Sequence, residues 1–200
     1  MFTGIVSSMG RVAAIGGSSG ARRLSIETGG LSTAGWNVGD SVAVSGVCLT
    51  LVDYAPGRFD AELSGETLAR TTLGRLAAGG VVNLEPAVAA GSALGGHLVT
   101  GHVDGVATVR ACAEQAGSLH AEIEAPAELA RFIAEKGSVT LDGVSLTVGR
   151  VAGAAFAIDL IPHTRKVTTL GGIAPGQTLN LEVDLLARYL DRLLEARGGR

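Results

Sequence analysis

Gly46-Val47-Cys48-Leu49-Thr50 and Gly143-Val144-Ser145-Leu146-Thr147 differ at one position and stand 97 residues apart. Read outward from them, the same offset lays Thr3-Gly4-Ile5-Val6 on Thr100-Gly101-His102-Val103 and Ser41-Val42 on Ser138-Val139. It lays Thr71-Thr72-Leu73-Gly74 on Thr168-Thr169-Leu170-Gly171 and Asn83-Leu84-Glu85 on Asn180-Leu181-Glu182. From Val38 to Glu85, 19 of 48 positions equal their partners without a gap. The chain is one unit written twice. A period of 97 is far above the roughly 20–50 residues of stacked repeats, so each copy is a small domain in its own right.

Within a copy the pattern is β. Phe156, Ile158 and Leu160 alternate with Ala157 and Asp159; Leu119, Ala121 and Ile123 alternate likewise, as do Leu179, Leu181 and Val183. Short period-two runs bounded by Gly and Asp are half-buried antiparallel strands. Closing a small sheet removes its edges. The expected fold is all-β: two tandem closed six-stranded antiparallel barrels related by internal duplication, plus a C-terminal α-helix. The expected domains are 1–97, 98–185 and a helix at 186–200, with Pro86 to Gly96 as linker. Pro126 to Lys136, with Gly137 behind it, predicts a short helix. Gly29 to Gly39 is its glycine-rich counterpart. In the tail, Leu186, Tyr189, Leu190, Leu193 and Leu194 fall on one helical face, opposite Arg188, Asp191, Arg192 and Glu195. Such a helix either packs on its own barrel or joins subunits.

Composition narrows the partners. Net charge is −3 and charged residues are 18% of the chain, so there is no basic surplus to attract nucleic acid. No run of about 18 apolar residues exists, so no membrane span is expected. The N-terminus lacks the basic and apolar regions of a signal peptide. Cys48 and Cys112 are too few for a disulfide framework or a metal site. A reduced, cytoplasmic protein without a metal site is expected.

Two classes of polar position emerge from the duplication. Thr3/Thr100, Ser41/Ser138, Thr50/Thr147 and Thr67/Thr164 are shared, and beside glycines they describe two like pockets of hydroxyls and backbone groups suited to a flat heterocycle. Ile5/His102, Cys48/Ser145, Ser45/Asp142, Gly39/Lys136, Glu66/His163 and Glu62/Asp159 are unlike. Two like pockets with unlike reactive groups bind two like molecules and treat them differently.

Phe2-Thr3-Gly4-Ile5-Val6, Gly46 to Thr50, Gly95-Gly96-His97 leading to Gly101-His102-Val103-Asp104-Gly105, Asp142 to Val148, and Leu160-Ile161-Pro162-His163-Thr164 occur in order. In these motifs, and over nearly its whole length, the chain resembles the trimeric, α-type riboflavin synthases. The resemblance implies a homotrimer held by C-terminal helices, with each site shared between neighbouring subunits. It implies a cofactor-free dismutation in which two 6,7-dimethyl-8-ribityllumazine molecules exchange a four-carbon unit. The products are riboflavin and a ribitylamino-pyrimidinedione. The N-terminal barrel would bind with Phe2, Gly4, Ile5, Val6, Ser41, Cys48, Leu49 and Thr50 and the run Glu62, Leu63, Ser64, Gly65, Glu66, Thr67. The C-terminal barrel would bind with Gly101, His102, Val103, Lys136, Asp142, Ser145, Leu146 and Thr147 and the run Asp159, Leu160, Ile161, Pro162, His163, Thr164. Cys48, His102, Ser145 and Thr147 would be the catalytic groups. A non-catalytic lumazine-binding antenna protein of the same fold is the alternative, and docking with a lumazine synthase capsid is left open.

Overall fold

The alternating runs become strands in both copies, and the offset of 97 residues holds element by element. The computed structural model describes residues 1–18 and 21–198. In the first copy, β1 (Ser8–Ser18), β2 (Ala21–Glu27), β3 (Ser41–Val44), β4 (Val47–Ala55), β5 (Arg58–Ser64) and β6 (Val81–Pro86) close into an antiparallel barrel in the order β1-β2-β5-β4-β3-β6. In the second, β7 (Gly105–Gln115), β8 (Ser118–Glu124), β9 (Ser138–Leu141), β10 (Val144–Thr147), β11 (Val151–Ala152), β12 (Ala155–Leu160) and β13 (Thr178–Val183) run β10-β9-β13-β7-β8-β12-β11.

The ends of that second sheet, β10 and β11, are halves of one interrupted strand. Its counterpart β4 carries a register shift between Leu51 and Asp53. At the equivalent point Val148-Gly149-Arg150 leaves the ladder. The Gly149 N–H to Ala157 O bond of 2.8 Å and the Ala157 N–H to Arg150 O bond of 2.9 Å carry the pairing across. The expected pair of six-stranded barrels is thus a continuous ring in the first copy and an interrupted ring in the second. Each has its own core, with Phe59, Leu24, Ile26 and Leu63 inside one and Phe156, Ile123, Ile158 and Leu160 inside the other.

Helices depart from expectation. Pro126 to Lys136 is not an α-helix: Ala127–Phe132 forms a 3-10 helix, and Lys136 sits in the left-handed region at φ +65°. Leu129 and Ile133 are buried in the core and Phe132 packs against it, but so short a segment has little helical stability of its own. Its counterpart over Gly29 to Gly39 is turns alone. Two short helices went unforeseen, α1 (Gly65–Arg70) and α2 (Pro162–Val167). Neither buries a residue, so neither leaves an apolar period in the sequence. α1 is instead started by the Ser64 hydroxyl, which accepts the Thr67 N–H at 3.1 Å.

The C-terminal α3 (Leu185–Gly198) is turned inside out. Gly199 and Arg200, which belonged to the expected helix, lie outside the described residues. Its polar side faces the protein: Arg188 pairs with Asp104, and Asp191 meets Arg131 at 2.7 Å. Its apolar residues Leu186, Tyr189, Leu190, Leu193 and Leu194 are 57–66% exposed. Packing of that face on its own barrel is therefore excluded.

A symmetrical set of buried amides locks the copies together. Asn83 Nδ2 donates to the Asp142 carbonyl at 2.9 Å and its Oδ1 accepts the Thr169 N–H at 2.9 Å. Asn180 does the same to the Ser45 carbonyl and the Thr72 N–H, both at 2.8 Å. Between them the Gly46 and Gly143 backbones meet so closely that a Cβ on either would come within 2.6–2.7 Å of the other's amide nitrogen. Truncating Asn83 or Asn180 to Ala strands a buried carbonyl and a backbone N–H in the other copy. Each substitution is expected to cost about 2–4 kcal/mol in denaturant unfolding, since a stranded buried group costs roughly 1–3 kcal/mol.

Candidate functional site

The terminal segment of each copy crosses onto the other. The Gly4 carbonyl accepts the Ser145 N–H at 2.8 Å, and Val6 packs on the second core. Conversely the Gly101 carbonyl accepts the Cys48 N–H at 2.8 Å, and Val103 packs on the first core. The segments pass each other at an antiparallel bridge between Phe2 and Val99. A buried carboxylate aims each one. Glu85 accepts from the Thr3 N–H and hydroxyl at 2.6 and 2.7 Å and from the Gly4 N–H at 3.0 Å. Glu182 does so for Thr100 and Gly101 at 2.7, 2.7 and 2.9 Å. Burial pushes both carboxyls above their ordinary pKa, against the pull of those hydrogen bonds.

The crossing revises the expected grouping. Gly101, His102 and Val103 do not line a second-copy pocket with Ser145. They line a cavity of about 240 Å³ with Val47, Cys48, Ser64, Glu66, Thr67, Arg70 and Thr71 of the first copy. Gly4, Ile5 and Val6 lie instead on the Ser145 side. Cys48 and His102, expected in different barrels, share one cavity. Thr71, missed as a site residue, is identical in both copies as Thr168. Arg70, also missed, has Val167 as its partner and forms an exposed ion pair with Glu66 at 3.0 Å.

Several expected contacts are core instead. Leu49, Leu63, Leu146 and Leu160 point into the barrels, so only their backbones can meet a ligand. Phe2 is buried with Ala43 and Val99 between the copies. Asp142 lies in the interface, where its Oδ1 accepts the Asn180 N–H at 2.8 Å. Ser41 pairs with Thr50 across β3 and β4, as Ser138 pairs with Thr147 across β9 and β10, and both threonines are exposed. Gly65, Ile161, Pro162, His163 and Thr164 sit at the helix starts beside these strands. Lys136 is exposed. Glu62 and Asp159 face away, in outer grooves of about 420 and 390 Å³. Those grooves are larger, but charged residues that differ between the copies line them. The Cys48 cavity holds the duplicated Thr67 and Thr71, which favours it as the site.

The Ser145 side is dressed differently. His97 Nδ1 shares a 2.8 Å hydrogen bond with Ser145 Oγ. Burial lowers the His97 pKa, while Asp184 nearby acts the other way. Among the described residues no cluster of His, Cys, Asp and Glu is arranged to hold a metal ion.

Residues 3–87 and 100–184 each match the lumazine binding domain model. The chain belongs to the lumazine-binding riboflavin synthase family. It is 48% identical to the riboflavin synthase of Mycobacterium tuberculosis, covering 99% of this chain and 100% of that one. It is 42% identical to the riboflavin synthase of Photobacterium phosphoreum, over 97% of this chain and 89% of the relative. Among solved structures it is similar to LumP complexed with riboflavin, with TM-score 0.84, 27% identity and coverage of 92% and 99%. LumP complexed with 6,7-dimethyl-8-(1'-D-ribityl) lumazine gives 0.81 and 26% over the same shares.

Within this family member, Asp142 stands where the first copy has neutral Ser45. Burial pushes its pKa up to about 7. The folded state therefore holds a proton that the unfolded state releases near pH 4, and stability falls as pH rises from about 4 to 7. Asp142→Asn should flatten that fall and gain on the order of a few kcal/mol over wild type between pH 5 and pH 8. Denaturant midpoints at the two pH values check it.

Proposed function

We infer that the chain is a riboflavin synthase, a transferase that dismutates two 6,7-dimethyl-8-ribityllumazine molecules into riboflavin and the ribitylamino-pyrimidinedione. The carrying observation is the pair of matched scaffolds with unmatched chemistry: Cys48 beside His102 in one, and Ser145 in the other. The full-length likeness to named riboflavin synthases supports the same reading. Because both reactants are the same compound, atoms and electrons balance with no outside oxidant.

One lumazine loses a proton from its C7 methyl, whose carbanion the ring delocalises, and the other is attacked on the ring. Holding two bound molecules in register replaces a bimolecular encounter, and good orientation is worth about 7–11 kcal/mol. In this reading His102 moves the proton and Cys48 contacts the ring beside it, with Ser145 and Thr147 handling the second molecule. The reactants must face each other, and α3 supplies the means. Its outward apolar face joins three subunits, so that one subunit's Cys48 cavity meets a neighbour's second barrel. The Arg188–Asp104 pair ties that helix to the segment bearing His102. No helix among the described residues is long and apolar enough to cross a membrane.

Mixing the chain with the lumazine alone should produce riboflavin absorbance; binding without turnover would leave the antenna alternative. Cys48→Ser and His102→Gln should each lower turnover at saturating lumazine more than they weaken binding. Loss of a proton-transfer group typically costs about 10²–10⁴-fold, and parallel turnover and titration measurements check the split. Leu190→Asp with Leu193→Asp should lower the sedimenting mass to that of a monomer and abolish most turnover, while lumazine binding in the Cys48 cavity persists.

A further inference from the structure

We propose that His97, directly after the linker between the copies, is a positioning residue that fixes the Ser145 hydroxyl toward the second lumazine. The proposal rests on the riboflavin synthase reading above.

The linker comes down on the second copy at one place. The His97 N–H donates to the Thr3 carbonyl at 3.1 Å, which fastens it to the crossing segment that also binds Ser145. Gly96 permits the approach: a Cβ there would lie 2.1 Å from the Thr3 carbonyl oxygen and 2.9 Å from Ser145 Oγ. The imidazole then meets Ser145 Oγ at 2.8 Å. Its other nitrogen, Nε2, is buried with no hydrogen-bond partner among the described residues. A buried ring nitrogen left unsatisfied costs free energy, so this ring is held by its single bond to Ser145 and by packing.

Burial lowers the ring's pKa and so favours its neutral form, in which one nitrogen carries a proton and the other accepts. Either tautomer orders the hydroxyl. With the proton on Nδ1, the ring donates to Oγ and leaves the Ser145 O–H free to point at a ligand. With the proton on Nε2, Nδ1 accepts the Ser145 O–H and leaves the oxygen lone pairs free. Cys48, the partner of Ser145 in the duplication, has no such side-chain hydrogen bond among the described residues. The two scaffolds thus become unequal at a second place, through a residue that touches neither reactant.

Amide variants separate positioning from packing. Asn puts its amide near the place of Nδ1, and Gln reaches toward the place of Nε2. His97→Ala and His97→Gln are expected to lower turnover at saturating lumazine by about ten- to a hundredfold, the range that small misplacement costs. His97→Asn should recover most of that rate. Lumazine affinity of the Cys48 cavity, which His97 does not line, should be unchanged in all three, as should the melting temperature of the Asn and Gln forms. In a Ser145→Ala background, His97→Ala should cause no further loss. Equal rates for the Asn and Gln forms, or a loss that persists without the Ser145 hydroxyl, would overturn the proposal. A wild-type chain that binds lumazine without turnover would overturn the functional reading, and this inference with it; wild-type turnover with indifferent His97 variants overturns this inference alone.

Discussion

Two buried carboxylates, Glu85 and Glu182, each spend their hydrogen-bonding capacity on one short segment, and the rest of the molecule depends on it. Each takes a threonine N–H, its hydroxyl and the next glycine N–H. Those bonds aim Thr3-Gly4 and Thr100-Gly101 so that their carbonyls meet Ser145 and Cys48 of the opposite copy. Without that aim, Val6 and Val103 would not reach the cores they cap, and His102 would not stand beside Cys48. The same carboxylates are costly to bury, which is why both are satisfied by several donors. The Asn83 and Asn180 amides extend the lattice, each using its nitrogen and its oxygen on backbone groups of the other copy.

Symmetry of scaffold and asymmetry of chemistry follow from one duplication. The network residues are the same in both copies: Thr3/Thr100, Gly4/Gly101, Gly46/Gly143, Asn83/Asn180, Glu85/Glu182. The residues that this network holds in place are not: Ile5/His102 and Cys48/Ser145. A change in a network residue loosens the seam that both copies share, whereas a change at a held position alters one pocket. An enzyme that must tell two identical reactants apart needs that division. The interrupted strand between β10 and β11, and the linker seated on Ser145, show that backbone as well as side chains came to differ.

Much of this was legible in the chain and some was not, for physical reasons. Strands were legible because Phe156, Ile158 and Leu160 alternate with period two, and the copies because identities such as Asn83/Asn180 keep an even offset. The outward face of α3 was legible as amphipathicity, but its direction was not: Arg188 and Asp191 find partners on Asp104 and Arg131, which only the fold brings near. α1 and α2 were missed because a hydroxyl cap at Ser64 and a proline at the first helical position, Pro162, rather than burial, start them. The segment crossing was invisible because a motif such as Thr100-Gly101-His102 does not state which copy it will touch. His97 has no partner in the first copy within the chain, so comparing the halves passed over it.

The most direct test asks whether the two copies are one cooperative body. Trp36 is the chain's single tryptophan and lies edge-on to Phe59 in the first barrel, at 5.6 Å between ring centroids. Its fluorescence reports the first copy, while far-ultraviolet circular dichroism reports both. Denaturant unfolding of the full chain followed by the two probes should give coincident midpoints, because neither copy keeps its crossed partners once the other unfolds. Separate transitions, with Trp36 released well before or well after the bulk of the strand signal, would contradict the account.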